Sequence, residues 1–132
     1  MSDTNTADEA KGFVAFTVRE APATFATARE AAWRSAVSSA AHEAMAGRPV
    51  FEGRIAVELD FVLPARGPAN PGWDLDNLIK PTIDALTPVI GARPGSWRTV
   101  QTDDERVDEI VARKREVRAG EKPHGRIIVR EL

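Results

Sequence analysis

Residues 53–64 read GRIAVELDFVLP, and their alternation limits the fold more than any other feature of the chain. Ile55, Val57, Leu59, Phe61 and Leu63 fall on one side of an extended strand, and Arg54, Glu58 and Asp60 on the other. Successive side chains of a strand point to opposite faces. The segment therefore needs a sheet with one face buried and the other wet.

The neighbouring segments supply the rest of such a domain. GFVAFTVRE, residues 12–20, sets Val14, Phe16 and Val18 against Phe13, Ala15 and Thr17, which predicts a strand buried on both faces or nearly so. In TAREAAWRSAVSSAAHEAMAG, residues 27–47, Thr27 and Glu30 have the form of a capping box. Trp33, Val37, Ala40 and Ala44 follow as a helical stripe. Gly47 suits the position after the helix, and Pro49 prevents continuation. ARGPANPG, residues 65–72, is a loop that delivers the chain to Asp74. A second helix is expected from about Asn77, as N-cap, to Val89, because Pro81 is tolerated only near a helix start. GARPGSWRTVQT, residues 91–102, reads as a long loop. RVDEIVARKREV and GRIIVRE are the last strands, joined by a turn around AGEKPHG. The order β-α-β-α-β-β predicts an α+β domain with helices packed on a mixed sheet. Residues 1–11 read as a disordered lead-in and 12–132 as a single domain.

Composition narrows the chemistry. With 132 residues there is one modest core, and no apolar run approaches the roughly 18 residues of a membrane span. The N-terminus has no basic start followed by an apolar stretch, so it is not a secretory signal. The chain has no cysteine, which excludes disulfides, thiolate catalysis and cysteine-bound zinc and fits a cytoplasmic protein. The net charge of -2 gives no overall footprint for nucleic acid. Locally the balance differs: residues 111–130 hold seven cations against two acids. They form either solvated strand faces or a patch for a polyanion.

The densest chemistry lies in WDLDNLIKPTIDAL, residues 73–86. Asp74 and Asp76, placed before the helix in extended chain, would point the same way. Lys80 and Asp84 share a helix face. Adjacent carboxylates repel, and each raises the other's pKa. A hard divalent cation such as Mg²⁺ relieves that cost, takes few carboxylates and keeps several waters. TDDERVDE supplies further acids, Asp103 and Asp104, at a strand entrance. Plainer roles also exist: Asp76 as a cap or dipole partner, and Asp84 as a surface partner of Lys80. A calcium loop of the EF-hand kind fails, because Leu78 takes the third ligand position and Ile79 that of the required glycine. His42 and His124 have no spaced partner for a metal.

DLDNLIKPTIDAL, followed by DDERV and a basic strand, resembles the RusA family of Holliday junction resolvases. Asp74-Leu75-Asp76-Asn77-Leu78, with Lys80, Asp84, Ala85 and Leu86 in step, is the more specific motif, and Asp103-Asp104 with Val107 is the second. The similarity runs roughly from Phe13 to Val129. It implies a RusA-like fold and a homodimeric endonuclease that binds four-way DNA junctions and nicks two strands symmetrically with Mg²⁺ or Mn²⁺. Asp74, Asp76 and Asp104 look like the metal-binding carboxylates and Lys80 like the catalytic lysine, with Asp84, Asp103 and Asn77 in support. The chain departs from the family pattern in charge. ARGPANPGW and APATFATARE carry few of the arginines found there, and the stretch between the motifs is longer. Arg93, Trp97 and Arg98 in that stretch are expected to contact DNA by stacking and phosphate binding, unless Trp97 packs on the domain. Arg34, Arg113 and Arg115 are further candidates. Two other functions fit the same residues: a junction-binding protein without nuclease activity, and a Mg²⁺-dependent phosphohydrolase of small nucleotides.

Overall fold

The computed structural model describes residues 11–24, 27–95, 97 and 99–132. The predicted lead-in, save Lys11, lies outside them, as does Arg98. The elements are β1 (Phe13–Val18), α1 (Glu30–Met45), β2 (Ile55–Leu63), α2 (Leu75–Asp84), α3 (Thr87–Ile90), β3 (Ala92–Pro94), β4 (Val100–Thr102), a 3-10 turn (Asp104–Arg106), β5 (Val107–Glu116) and β6 (His124–Glu131). The fold is α+β with a mixed sheet, as its alternating segments predict. It adds to the expected order a short helix and a small hairpin.

The four-stranded sheet runs β1-β6-β2-β5. β6 is antiparallel to both β1 and β2, while β2 and β5 are parallel. The last two strands are therefore not neighbours, and the turn around AGEKPHG carries the chain past the end of β2. Parallel strands cannot be joined by a tight turn; they need a crossover. Here the crossover is everything from Pro64 to Arg106, and it carries both acidic motifs.

Helices cover one face of the sheet. Ile55, Val57, Leu59, Phe61 and Leu63 are buried there, as their alternation requires. Trp33 is fully buried and its ring lies 6.2 Å from that of Phe61. Its indole Nε1 donates to Thr82 Oγ1 at 2.9 Å, and that hydroxyl donates to the Leu78 carbonyl at 2.8 Å. A buried indole N–H thus finds its partner on the helix that bears Lys80. The other face is more open, although Ala56 and Val62 of β2 are buried on it. On β1 only Val14, Phe16 and Val18 are buried, while Phe13 remains 55% exposed, so the strand is covered on one side rather than two.

Several local expectations change. α1 begins at Glu30 after Arg29, and the Thr27 hydroxyl donates to the Thr24 carbonyl at 3.0 Å instead of capping the helix. Its buried stripe is Trp33, Val37, Ala41 and Met45, with Ala40 and Ala44 on the flank. Ala46 is the C-cap, in a left-handed conformation, and Gly47 follows at C′ with positive φ, as its position in the sequence suggests. α2 starts at Leu75 and stops at Asp84, leaving Pro81 in its interior. The missing proline N–H strands only the carbonyl of exposed Asn77, which water can satisfy. Asn77 is not the cap; Asp74 is. The long loop of residues 91–102 is a hairpin, with Ala92, Arg93 and Pro94 opposite Thr102, Gln101 and Val100.

Candidate active site

α2 starts at the Leu63 end of the sheet and runs back along β5. At one end, Lys114 Nζ donates to the Trp73 carbonyl at 2.8 Å. At the other, Lys80 meets the 3-10 turn that opens β5. Lys80 Nζ lies 2.9 Å from Asp84 Oδ1 and 3.2 Å from Asp104 Oδ2. The second contact joins the two acidic motifs.

Asp74 is extended, with φ -71° and ψ 145°, whereas Asp76 stands in the first helical turn. The two carboxylates therefore do not share a direction by strand geometry, as the extended reading had it. Asp76, Lys80 and Asp104 line one open cavity of about 250 Å³, over apolar walls from Ile79, Val107 and Ile110. Asp74 is exposed at the N-cap and is not among the residues that line the cavity, and its carboxylate makes no capping hydrogen bond. Asp76 also complements the positive end of the helix dipole. Among the described residues no three acidic or histidine side chains are gathered closely enough to hold a metal ion. The donor set still has the right chemistry for a hydrated hard cation: oxygen ligands, few in number and open to water.

The two acids of the second motif are pinned by arginines. Asp104 Oδ1 accepts from Arg93 Nη2 at 3.1 Å. Asp103 Oδ2 accepts from Arg106 Nε at 2.9 Å, and Arg93 Nε stands 3.8 Å from its other oxygen. Arg106 also reaches the carbonyls of Gly53, at 2.8 Å, and Ile90. Partial burial pushes the Asp104 carboxyl up, but the hydrogen bonds and charges of Lys80 and Arg93 outweigh it and hold the pKa below the ordinary 3.8. The Lys80 ammonium is raised above 10.5, first by its hydrogen bond to Asp84 and then, against some burial, by Asp104.

A second cavity, about 290 Å³, shares Lys80 and Asp104 with the first and lies under the hairpin; Arg34, Asp84 and Gln101 also line it. Arg34 also pairs with Glu30 at 3.4 Å. Trp97 does not pack on the domain: it is 92% exposed at the hairpin tip. Arg113 and Arg115 lie on the open sheet face, away from both cavities. Arg113 pairs with Asp60 at 2.7 Å and with Glu58, and Arg115 with Glu121 at 2.6 Å. Sequence reasoning missed Arg106, Gln101 and Thr102. Arg106 alone carries a legible signal, its spacing of three from Asp103 on a helical turn. Gln101 and Thr102 depend on the hairpin. The Thr102 hydroxyl bonds to Thr87 Oγ1 at 2.7 Å and to the Asp84 carbonyl, tying β4 to α2.

The family model of the endodeoxyribonuclease RusA matches residues 10–130. No curated protein matches the chain. Among the described residues, no helix is long and apolar enough to cross a membrane.

Proposed function

The chain belongs to the RusA family of endodeoxyribonucleases, and from that premise we propose that it resolves four-way junctions or other branched DNA by paired symmetric nicks dependent on Mg²⁺. Mn²⁺ is the natural substitute. The setting is DNA recombination and repair in the cytoplasm. The observation that carries this reading is the single cavity lined by Asp76, Lys80 and Asp104, residues drawn from both motifs.

In this reading Asp76 and Asp104 would hold the cation, with Asp74 completing the set from the helix N-cap. Bound there, a divalent cation would supply Lewis-acid charge and lower the pKa of a water. Lys80 meets the charge that develops on the phosphate as the P–O bond breaks. Its raised pKa keeps it an ammonium at neutral pH, so it acts as a cation or acid and not as a general base. Asp84 aims Lys80, and Asp103, held by Arg106, steadies the turn that carries Asp104. Asn77, exposed in the first turn of α2 next to Asp76, is a supporting polar group. Two symmetric cuts call for two sites related by a two-fold axis, hence a homodimer.

The test is a labelled four-way junction, a linear duplex and free nucleotides, each incubated with Mg²⁺ and with EDTA. Paired nicks on the junction alone, abolished by EDTA, are expected. Junction binding without cutting, unaffected by Asp76→Asn, points instead to a binding protein, and turnover of nucleotides without cutting DNA points to a phosphohydrolase.

A further inference from the structure

We propose that the cavity under the hairpin receives one unstacked nucleotide beside the scissile phosphate, and that Gln101 and Arg34 read its base. The inference rests on the nuclease reading and deepens it. Lys80 and Asp104 line both the Asp76 cavity and this second cavity, so the two spaces share these side chains. A phosphate placed against Lys80 therefore has its neighbouring nucleotide at the mouth of the second cavity. At about 290 Å³ the space sits at the small end of ligand pockets, roughly 300 Å³ and upward. It takes one nucleotide unit and no duplex, so only a strand already opened at a branch fills it cheaply.

The lining suits a base. Val100, 74% exposed, gives an apolar wall, and the Arg34 guanidinium gives a planar stacking surface. Thr102 is not a reader, because its hydroxyl is already bonded to Thr87 and Asp84. Gln101 is one. It stands opposite Arg93 in the hairpin, and hydrogen-bonding chemistry assigns its amide oxygen to the side of Arg93 Nε and Nη2, each 3.1 Å away. In that orientation its NH₂ also faces an acceptor, so one of the two amide hydrogens remains to donate to a base. The same Arg93 bonds to Asp104, so one guanidinium links the base reader to the carboxylate of the cleavage site.

The experiment uses four-way junctions with 2-aminopurine next to the scissile phosphate, mixed with the protein in EDTA, together with a junction library randomised at the flanking positions and cut in Mg²⁺. Wild-type protein is expected to raise the 2-aminopurine emission on binding, and Arg34→Ala and Gln101→Ala to diminish that rise. Each substitution should also shrink the rate ratio between best and worst sites by about five- to tenfold, the worth of one hydrogen bond. Gln101→Glu turns the donor into an acceptor. It should shift preference toward bases with an exocyclic amino group and away from thymine. Cutting with silent 2-aminopurine, or wild-type preference in all three variants, overturns the nucleotide cavity alone. Failure to bind or cut any junction overturns the nuclease reading and this inference with it.

Discussion

Lys80 Nζ stands 3.2 Å from Asp104 Oδ2, although 24 residues separate them in the chain. Neither motif contains this contact by itself. It exists because β2 and β5 are parallel, so α2 must run back along β5 and end beside the turn that opens it.

Both partners of that pair are exposed enough for solvent to screen it, so its loss should barely affect folding. Asp104→Asn is expected to abolish junction cleavage, and Lys80→Ala to lower kcat by roughly 10²–10³-fold. The urea unfolding free energy of each should stay within about 1 kcal/mol of wild type. Cleavage at the normal rate by Lys80→Ala would remove this lysine from the chemistry.

Lys80 should remain protonated well above neutral pH. Its folded pKa is raised, so its ion pairs contribute stability that is complete below the ordinary 10.5 and lost as pH rises through the folded value. An NMR titration of the Lys80 side chain should find its midpoint above that of free lysine. Asp84→Asn, which removes the largest contribution, should bring it down. No alkaline limb from Lys80 is expected in the pH–rate profile near neutrality.

The turn between β5 and β6 should loosen in acid. Arg115 donates to both oxygens of Glu121, the Arg118 backbone N–H donates to the same carboxylate, and together they hold its pKa at about 2. A depressed carboxyl contributes stability above its unfolded pKa, 4.5, and loses it as pH falls through about 2. Carboxyl NMR should show Glu121 titrating far below the other glutamates. In Glu121→Gln, amide exchange in residues 117–123 should lose its acid dependence.

Trp33 should be the position least able to change. Truncation to alanine empties the centre of the core and is expected to cost about 3–5 kcal/mol. Thr82→Val leaves the buried indole N–H without its acceptor, at about 1–3 kcal/mol. A methyl at Gly125 would come within 2.6 Å of the Trp33 ring, so Gly125→Ala is expected to cost about 1–3 kcal/mol. Chemical denaturation ranks the three.

Phosphate contact should fall to cations that lack acids of their own. Arg113, Arg115 and Arg130 are each paired with an acid. Among the described residues, Arg118, Lys122 and Arg126 have no acid within ion-pair distance. Lys122→Ala or Arg126→Ala should reduce the slope of log affinity for a junction against log salt by about 0.9 each. Arg113→Ala should leave that slope unchanged, since its guanidinium is already committed to Glu58 and Asp60.

The sequence by itself determined the four strands of the main sheet and the α+β class, and it named the residues proposed for the site. Alternation in Ile55–Leu63 depends only on the two-residue period of a strand, and the spacing of Lys80 and Asp84 only on the helical turn. Boundaries were less legible. Pro81 argued for a later start to α2 than the chain adopts, because the cost of an interior proline falls on one solvated carbonyl. The hairpin at Ala92–Thr102 was hidden for a similar reason: its short strands owe their pairing to anchorage by Asp103 and Thr102, not to an apolar pattern of their own. Tertiary structure alone decided which acids meet. Insertion of β6 between β1 and β2 leaves β5 to pair in parallel at the edge. The crossover this demands brings Asp104 to Lys80, where the two line both cavities, and leaves Arg113 and Arg115 on the opposite face.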